Sequence, residues 1–143
     1  MIEKEIVEKL IKEAQRAREF SYAPYSAYLV GAALLTEEGD IYTGCTIENA
    51  AYSPTNCAER TAFFKAVSEG KTNFSAIAII GGPKDKTVVQ YAHPCGVCRQ
   101  VMMELCDPKA FQVIAAKSEK EYEIRSLEAY LPAGFGPANL ENA

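Results

Sequence analysis

The stretch FSAIAIIGG, Phe74 to Gly82, contains the longest uninterrupted apolar run of the 143-residue chain, Ala76 to Ile80. This run is far shorter than the roughly 20 residues that a membrane-spanning helix needs. An apolar segment of this length, ended by two glycines, is typical of a strand that is buried in a protein core. The stretch therefore predicts a central strand, and the flanking sequence indicates what covers it.

Helices are predicted on both sides of this strand along the chain. The first spans residues 56–69, where Asn56 is expected to cap its start and Gly70 its end. The second has Pro94 in its first turn, because the fixed backbone angle of proline suits that position, and it continues through a periodic apolar stripe. The central strand is thus bracketed by two helical segments.

The amino-terminal third predicts a helix and a hairpin. Apolar residues recur at steps of three and four from Ile2 to Ala14, which indicates an amphipathic helix that ends before the segment SYAPYS (21–26), where Pro24 stops it. The runs AYLVGAALLT (27–36) and DIYTGCTIE (40–48) read as two strands. Gly39 lies between them and supplies the positive backbone angle that a tight turn often requires.

The carboxy-terminal third predicts two more strands, AFQVIAA (110–116) and EYEIRS (121–126), and a short helix, LEAYL (127–131). Strands that alternate with helices after an opening hairpin favour an α/β protein with a mixed sheet. We expect a three-layer α/β/α fold of about five strands with helices on both faces. The length of the chain suits a single domain over residues 1–143.

Composition excludes several classes of function. The amino terminus alternates charges and lacks the apolar centre of a secretory signal, so a cytoplasmic protein is expected. In that compartment the five cysteines should be reduced thiols or metal ligands. The net charge of -4 without a basic block argues against nucleic-acid binding, and no segment suits a membrane. A small molecule is the expected partner.

Three cysteines are candidate zinc ligands. Cys95 and Cys98 form a C-x-x-C pair at a predicted helix start, where both sulfurs can face one metal ion. The pair alone also fits a redox dithiol or half of a zinc ribbon. Cys57 opens the other predicted helix and is the third candidate. Three thiolates leave one position of a tetrahedral zinc open, which is typical of a catalytic site.

Glu59 and Arg60 follow Cys57 and have predicted roles beside the metal. Glu59 is expected to move protons at the open coordination position rather than to bind zinc. Residues two apart on a helix point about 200° away from each other, so Cys57 must lie at the helix edge to share a pocket with Glu59. Arg60 is expected to donate hydrogen bonds to the thiolates and to offset their excess negative charge.

Other interpretations of these residues remain open. Cys57 fits a buried free thiol, and Glu59 and Arg60 fit a solvated helix face. A non-enzymatic zinc module would take Cys45 as a fourth ligand. His93, the only histidine, is expected beside the ligands or at the surface rather than on the metal. Editing of bases within RNA or DNA shares the zinc signature, but it requires a basic groove.

The segments CAERTA and PCGVCRQ, together with YAPYSAYLVGAAL, IENAAY and LPAGFGP, closely resemble the homotetrameric cytidine deaminases. The resemblance extends over nearly the whole chain. It implies that the three cysteines hold one zinc ion per subunit and that Glu59 takes a proton from the attacking water and passes protons to ring N3 and the departing amine. Cytidine and deoxycytidine would become uridine and deoxyuridine with release of ammonia, as in pyrimidine salvage.

The resemblance also implies which residues bind the substrate. Glu48 corresponds to the carboxylate that binds the ribose 3'-hydroxyl, and Tyr28 stands where the family usually has a phenylalanine against the base. The full set of substrate-binding residues in the chain is expected to be Tyr28, Thr46, Glu48 and Ala58. Residues that neighbouring subunits of a homotetramer would contribute to each site are Ala50, Tyr52 and Phe135.

Two positions depart from the usual pattern of the family. Thr46 replaces a common asparagine, which removes an amide from the sugar end of the pocket at a cost of about 0.5–1.5 kcal/mol for one lost hydrogen bond. His93 replaces a frequent serine and is expected to narrow or repolarise the base end. Both changes leave a modified cytidine, or a cytosine-containing antibiotic such as blasticidin S, open as an alternative substrate.

Overall fold

A computed structural model of the protein describes residues 2–141. The predicted domain also includes residues 1, 142 and 143, which lie outside the described residues. The elements follow in the order α1 (Lys4–Arg18), β1 (Tyr28–Thr36), β2 (Ile41–Cys45), α2 (Ala58–Ser68), β3 (Phe74–Pro83), α3 (Gly96–Leu105), β4 (Gln112–Ala116), β5 (Tyr122–Ser126), α4 (Leu127–Tyr130) and α5 (Pro137–Glu141).

The strands form one mixed sheet in the order β2-β1-β3-β4-β5. β1 runs antiparallel to both β2 and β3, and β4 runs antiparallel to β5. β3 and β4 are parallel, so the chain crosses between them through α3. The β1–β2 hairpin turns at Gly39, whose φ of 103° is the predicted positive angle. The prediction of a mixed sheet of about five strands is confirmed.

Helices cover both faces of the sheet, as predicted. β3 is the central strand, and its alternating side chains enter two separate cores. Ile77 and Ile79 join the core beneath α2 and α3, and Ala76 and Ala78 join the core beneath α1. All four are fully buried, since none has any exposed surface. The continuous apolar run in this strand is therefore explained by burial on both sides.

Two glycines let helices approach the sheet closely. A Cβ atom at Gly31 would lie 2.0 Å from the carbonyl oxygen of Ala14 in α1. A Cβ atom at Gly44 would lie 2.3 Å from the carbonyl oxygen of Ala58, the first residue of α2. Only glycine permits such an approach of helix backbone to strand. The start of α2, where the candidate ligands begin, is thus positioned directly by β2.

The predicted cap of α2 was wrong by one residue. The helix begins at Ala58, and Cys57 is its N-cap, with φ of -70° and ψ of 156°. Asn56 does not cap the helix. Its side-chain Nδ2 donates instead to Thr61 Oγ1 at 3.1 Å. The predicted carboxy-terminal glycine is confirmed in its conformation, because Gly70 has a φ of 88° just beyond the helix.

The start of α3 also differs from the prediction. The helix begins at Gly96 with Cys95 as its N-cap, so Pro94 precedes the helix and does not occupy its first turn. The Cys95 sulfur accepts a hydrogen bond from the backbone N–H of Cys98 at 3.5 Å. The short helix α5 had not been predicted from the sequence. Over residues 2–141, no helix combines the length and the apolar character required to cross a bilayer.

Candidate active site

Three cysteine thiols converge where the amino ends of α2 and α3 meet. Over residues 2–141, Cys57, Cys95 and Cys98 form the one group of three or more potential ligands whose donor atoms all lie within 4.8 Å of one another. The Cys57 and Cys95 sulfurs are 3.8 Å apart, and those of Cys95 and Cys98 are 3.6 Å apart. Two thiolates bound tetrahedrally at about 2.3 Å from zinc lie about 3.8 Å apart, so the three sulfurs fit this metal.

The helix starts favour thiolates at this position. Cys57 and Cys95 are N-caps with extended backbones, and Cys98 lies within the first turn of α3. The positive ends of both helix dipoles therefore point at the sulfurs. Cys45 lies outside the group, and burial raises the pKa of its thiol. The expectation that Cys45 acts as a fourth ligand finds no support in this geometry.

Hydrogen bonds already favour loss of a proton from Cys57. A hydrogen bond from Cys98, assisted by Arg60, lowers the pKa of the Cys57 thiol to about 5. The same contact with Cys57, followed by burial, raises the pKa of Cys98, so Cys57 loses its proton before Cys98 does. The Arg60 guanidinium donates from Nη2 to the Cys57 sulfur at 3.2 Å. The contact predicted between Arg60 and the thiols is therefore present.

Glu59 faces the same cavity as the thiols, although it follows Cys57 by only two residues. The extended backbone of the N-cap places Cys57 at the helix edge, which permits this arrangement. Glu59 is 4% exposed, and burial raises the pKa of its carboxyl group to about 7. A carboxyl group with a pKa near neutrality is suited both to accept and to donate a proton.

A cavity of about 260 Å³ opens onto Glu59, Cys57 and Cys95. Its volume suits the reacting part of a small organic molecule. The other polar or aromatic side chains in its wall come from β1, from the segment after β2 and from the loop before α3: Tyr28, Thr46, Tyr91 and His93. Tyr28 and Thr46, which the resemblance implies as substrate contacts, both line this cavity. Tyr91 was not singled out from the sequence, because no local pattern separates it from other loop aromatics.

Glu48 lies in a separate, more open cavity of about 390 Å³ with Tyr25, Ser26, Tyr52 and Thr55. Its carboxylate accepts hydrogen bonds from the backbone N–H groups of Tyr25 and Ser26 at 3.0 and 3.1 Å, and also from the Ser26 hydroxyl. The Ser26 hydroxyl is the main cause of the lowered pKa of Glu48. Ile47 is bridged to Tyr22 and to Asn56, so the chain around it is extended.

The remaining candidate residues do not line the metal cavity of their own chain. Ala50 and Tyr52 are exposed in the loop between β2 and α2, where Tyr52 has a φ of 63°. Phe135 is 58% exposed near the carboxy terminus. Ala58 is fully buried against β2, so its side chain has a packing role within the chain.

Comparison with known proteins places this geometry in a family. The family model described as the cytidine and deoxycytidylate deaminase zinc-binding region matches residues 4–114. The cytidine deaminase of Sporosarcina psychrophila is 47% identical over 137 residues, which is 96% of each chain. The cytidine deaminase of Halalkalibacterium halodurans is 46% identical over 133 residues, or 93% of this chain and 96% of that one.

Solved structures agree with the sequence comparisons. The crystal structure of cytidine deaminase from Burkholderia pseudomallei matches with a TM-score of 0.80 at 43% identity, covering 89% of this chain and 97% of that one. The enzyme from Mycobacterium tuberculosis gives a TM-score of 0.74 at 32% identity, covering 90% and 95%. The family match includes the three thiols of Cys57, Cys95 and Cys98, and it also includes Glu59, which lines the cavity with Cys57 and Cys95. The chain therefore belongs to the zinc-binding cytidine and deoxycytidylate deaminase family.

Proposed function

We propose that the protein is an enzyme that hydrolyses the exocyclic amine of cytidine and deoxycytidine, giving uridine or deoxyuridine and ammonia. One observation carries the proposal: the buried carboxyl group of Glu59 faces the same cavity as thiols spaced to bind zinc. Relatives 47% and 46% identical to the chain are named cytidine deaminases, which supports cytidine as a substrate. The reaction would serve pyrimidine salvage in the cytoplasm.

The metal site is assigned to Cys57, Cys95 and Cys98. Zinc bound there supplies a Lewis acid that makes water a better nucleophile. Three thiolates give such a site an excess negative charge, which opposes loss of a proton from water. Arg60 offsets part of that charge through its hydrogen bond to Cys57, and the helix amino ends act in the same direction.

Glu59 is assigned as the proton carrier. Its carboxylate accepts a proton from the attacking water and delivers it to ring N3 as oxygen adds to C4. A second proton then passes through the same carboxylate to the amine, the bond from C4 to nitrogen breaks, and ammonia leaves. Water thus supplies the oxygen of the product, the proton that stays on ring N3 and the one proton that the departing amine needs. Burial of Glu59 keeps bulk water away from these transfers.

The substrate would extend from the metal cavity towards Glu48. Tyr28 and Tyr91 offer aromatic surfaces to a flat base in the cavity wall. Thr46 and Glu48 are two residues apart on an extended segment, about 7 Å from each other and on the same side. With the base beside Thr46, the ribose would lie near Glu48, whose carboxylate would bind the 3'-hydroxyl in exchange for its contact with Ser26.

A homotetramer with shared active sites is part of the proposal. Three residues are exposed in the single chain: Ala50, Tyr52 and Phe135. Residues that complete the site of a neighbouring subunit must be exposed when that subunit is absent. Phe64 and Val67 on α2 are 48% and 37% exposed, which gives apolar surface that assembly would bury. We assign residues 1–143 to one catalytic domain, with a nucleoside rather than nucleic acid as the substrate.

Purified zinc-loaded protein incubated with cytidine is expected to release ammonia and uridine. Glu59→Gln removes the proton carrier, so kcat should fall by about 10²- to 10⁴-fold while bound zinc and the fold are retained. Glu69→Gln, at the exposed end of α2, is the matched control and should keep wild-type activity. Absence of turnover in the loaded wild-type enzyme would refute the proposed substrates, and an active Glu59→Gln variant would refute the role of Glu59.

A modified cytidine or a cytosine-containing antibiotic such as blasticidin S is the second candidate substrate. Thr46 favours a substrate that differs from cytidine at its sugar end, since this residue departs from the usual family pattern and lines the metal cavity. A panel of these compounds, compared with cytidine by kcat/KM, separates the two candidates. If the enzyme turned over a panel compound efficiently and left cytidine almost unreacted, that compound would replace cytidine as the proposed substrate.

A further inference from the structure

His93 is held in the cavity wall by a buried tyrosine. Its Nδ1 atom lies 2.7 Å from the hydroxyl of Tyr130, the last residue of α4. Tyr130 is 7% exposed, and its ring centroid is 5.5 Å from the imidazole. The Tyr91 ring contacts His93 from another direction, with centroids 6.2 Å apart. The imidazole therefore has a fixed position, although its side chain is 37% exposed.

The backbone on both sides of His93 is also fixed. Ala92 and Pro94 are buried, so the loop cannot turn His93 away from the cavity without exposing them. Arg99 joins this loop to α4, because its Nε donates to the Pro94 carbonyl and its Nη1 donates to the Tyr130 carbonyl, both at 2.7 Å. The Arg99 guanidinium also lies over the Tyr130 ring, 5.0 Å from its centroid. Arg99 and Tyr130 thus hold the imidazole and its loop together.

His93 lies at the reacting end of the cavity. It precedes Cys95 by two residues in the chain, and it lines the same wall as Cys95 and Glu59. Thr46 also lines this cavity, and Glu48, two residues further along the chain, lines the second cavity. In the proposed binding mode, C4 lies beside the thiols and the ribose lies near Glu48, so the amine and ring position 5 would lie on the His93 side of the cavity.

We propose that His93 determines which substituents the enzyme tolerates next to the reacting carbon. The fixed imidazole occupies space that a methyl group on the amine or at ring position 5 would need. The enzyme thereby selects an unmodified cytosine and leaves the choice of sugar to the Thr46 end. Tyr130 is a positioning residue, since it holds the imidazole without lining the cavity. This inference rests on the proposed deaminase activity.

Comparison of 5-methylcytidine and N4-methylcytidine with cytidine tests the inference. In His93→Ala and His93→Ser, kcat/KM for the methylated compounds relative to cytidine should rise by about tenfold or more, the usual discrimination that a pocket exerts over one methyl group. The ratio of deoxycytidine to cytidine should stay unchanged, because the sugar lies at the other end. Binding of 5-methyluridine relative to uridine, measured by calorimetry, should shift in the same direction without any turnover.

Tyr130→Phe tests whether the hydrogen bond between Tyr130 and His93 holds the imidazole in place, and Val89→Ala is the matched control. The first removes only the hydroxyl that holds Nδ1, so the released imidazole should give a smaller rise in the same ratios. A merely structural defect would lower turnover of every compound equally. Val89 is 70% exposed in the same loop and outside the cavity wall, so its replacement should leave the ratios unchanged. Unchanged ratios in both His93 variants, with cytidine still deaminated, overturn the inference and leave the proposed function intact.

Discussion

Cys57 and Cys95 occupy helix N-cap positions, where serine, threonine, aspartate or asparagine is usual. An N-cap residue has an extended backbone, so its side chain points back over the helix end rather than along the helix surface. That geometry brings Cys57 and Glu59 into one cavity. Within a regular stretch of helix, two residues spaced like Cys57 and Glu59 would point about 200° away from each other and could not share the cavity.

Removal of a single ligand should release the metal. Cys57→Ala and Cys98→Ala are each expected to lower the zinc content of the purified protein to well below one ion per chain, because two thiolates hold zinc far more weakly than three. Cys45→Ala should retain zinc, since Cys45 lies outside the thiol group. Zinc is measured by mass spectrometry of the metal after gel filtration. Loss of zinc from Cys45→Ala would mean that the fourth position is occupied and the catalytic assignment is wrong.

The chemistry of these residues was more predictable than their local geometry. Cys57, Glu59 and Arg60 are assigned from residue type and spacing. In the structure Cys57 joins the thiol group, Glu59 lines the cavity and Arg60 donates to Cys57, while their catalytic roles stay predictions. The prediction that Asn56 caps α2 was wrong because its side-chain amide donates a hydrogen bond to Thr61, five residues further on, and does not bond to the helix end. Tyr91 was missed because its place in the cavity depends on the path of a loop, which no short pattern encodes.

At the level of elements, the β2–α2 contact controls the position of the site. Gly44→Ala would place a Cβ atom 2.3 Å from the Ala58 carbonyl and 2.5 Å from the Ala62 nitrogen, so α2 must move. We expect a loss of about 1–3 kcal/mol in the free energy of unfolding, as for other overpacked sites. Because Cys57 and Glu59 move with the helix, kcat/KM per folded molecule should fall as well.

Gly39→Ala is the matched control in the same hairpin. Its Cβ meets nothing within 4 Å, but its φ of 103° imposes strain. The variant should lose about 1 kcal/mol of stability, the cost of a left-handed conformation, and keep its activity per folded molecule. Both quantities come from denaturant unfolding and from initial rates at a temperature where both variants are folded. Equal activity in the two variants would show that the close approach of α2 is unnecessary.

The sheet was predictable because its strands carry strong signals. The apolar run Ala76 to Ile80 is uniform since β3 is buried on both faces, and the hairpin is marked by Gly39. The helix α5, by contrast, has no buried residue among Pro137–Glu141 and hence no apolar periodicity to detect. An element that buries apolar residues in a core can be predicted from the sequence, whereas an element without buried residues, such as α5, cannot.

At the level of the whole molecule, shared sites can be tested by mixing two defective variants. Glu59→Gln lacks the proton carrier, and Phe135→Ala lacks the aromatic ring proposed to enter a neighbouring site. In randomly mixed oligomers half of the sites carry Glu59 and half of these face a neighbour with Phe135, so about a quarter of the sites are intact. The mixture, refolded together, should regain about that share of wild-type activity.

The two variants refolded separately and then combined without exchange are the control for this experiment. Their activity should be the average of the two alone, because no mixed oligomer forms. Gel filtration with light scattering establishes whether each variant still assembles. A co-refolded mixture that shows only the average would mean that Phe135 acts within its own chain or not at all.

The spacing of the thiols has a consequence for the unfolded chain. Cys57 and Cys95 are 38 positions apart in the sequence, and one ion bound to both closes a loop of that length. By the loop-closure argument used for disulfides, a restraint of this size removes entropy from the unfolded state worth about 4 kcal/mol. That loop contains all of α2 and all of β3, the central strand. Bound zinc would therefore also act as a reversible cross-link of the core, and the free energy of unfolding should be larger with zinc than without it.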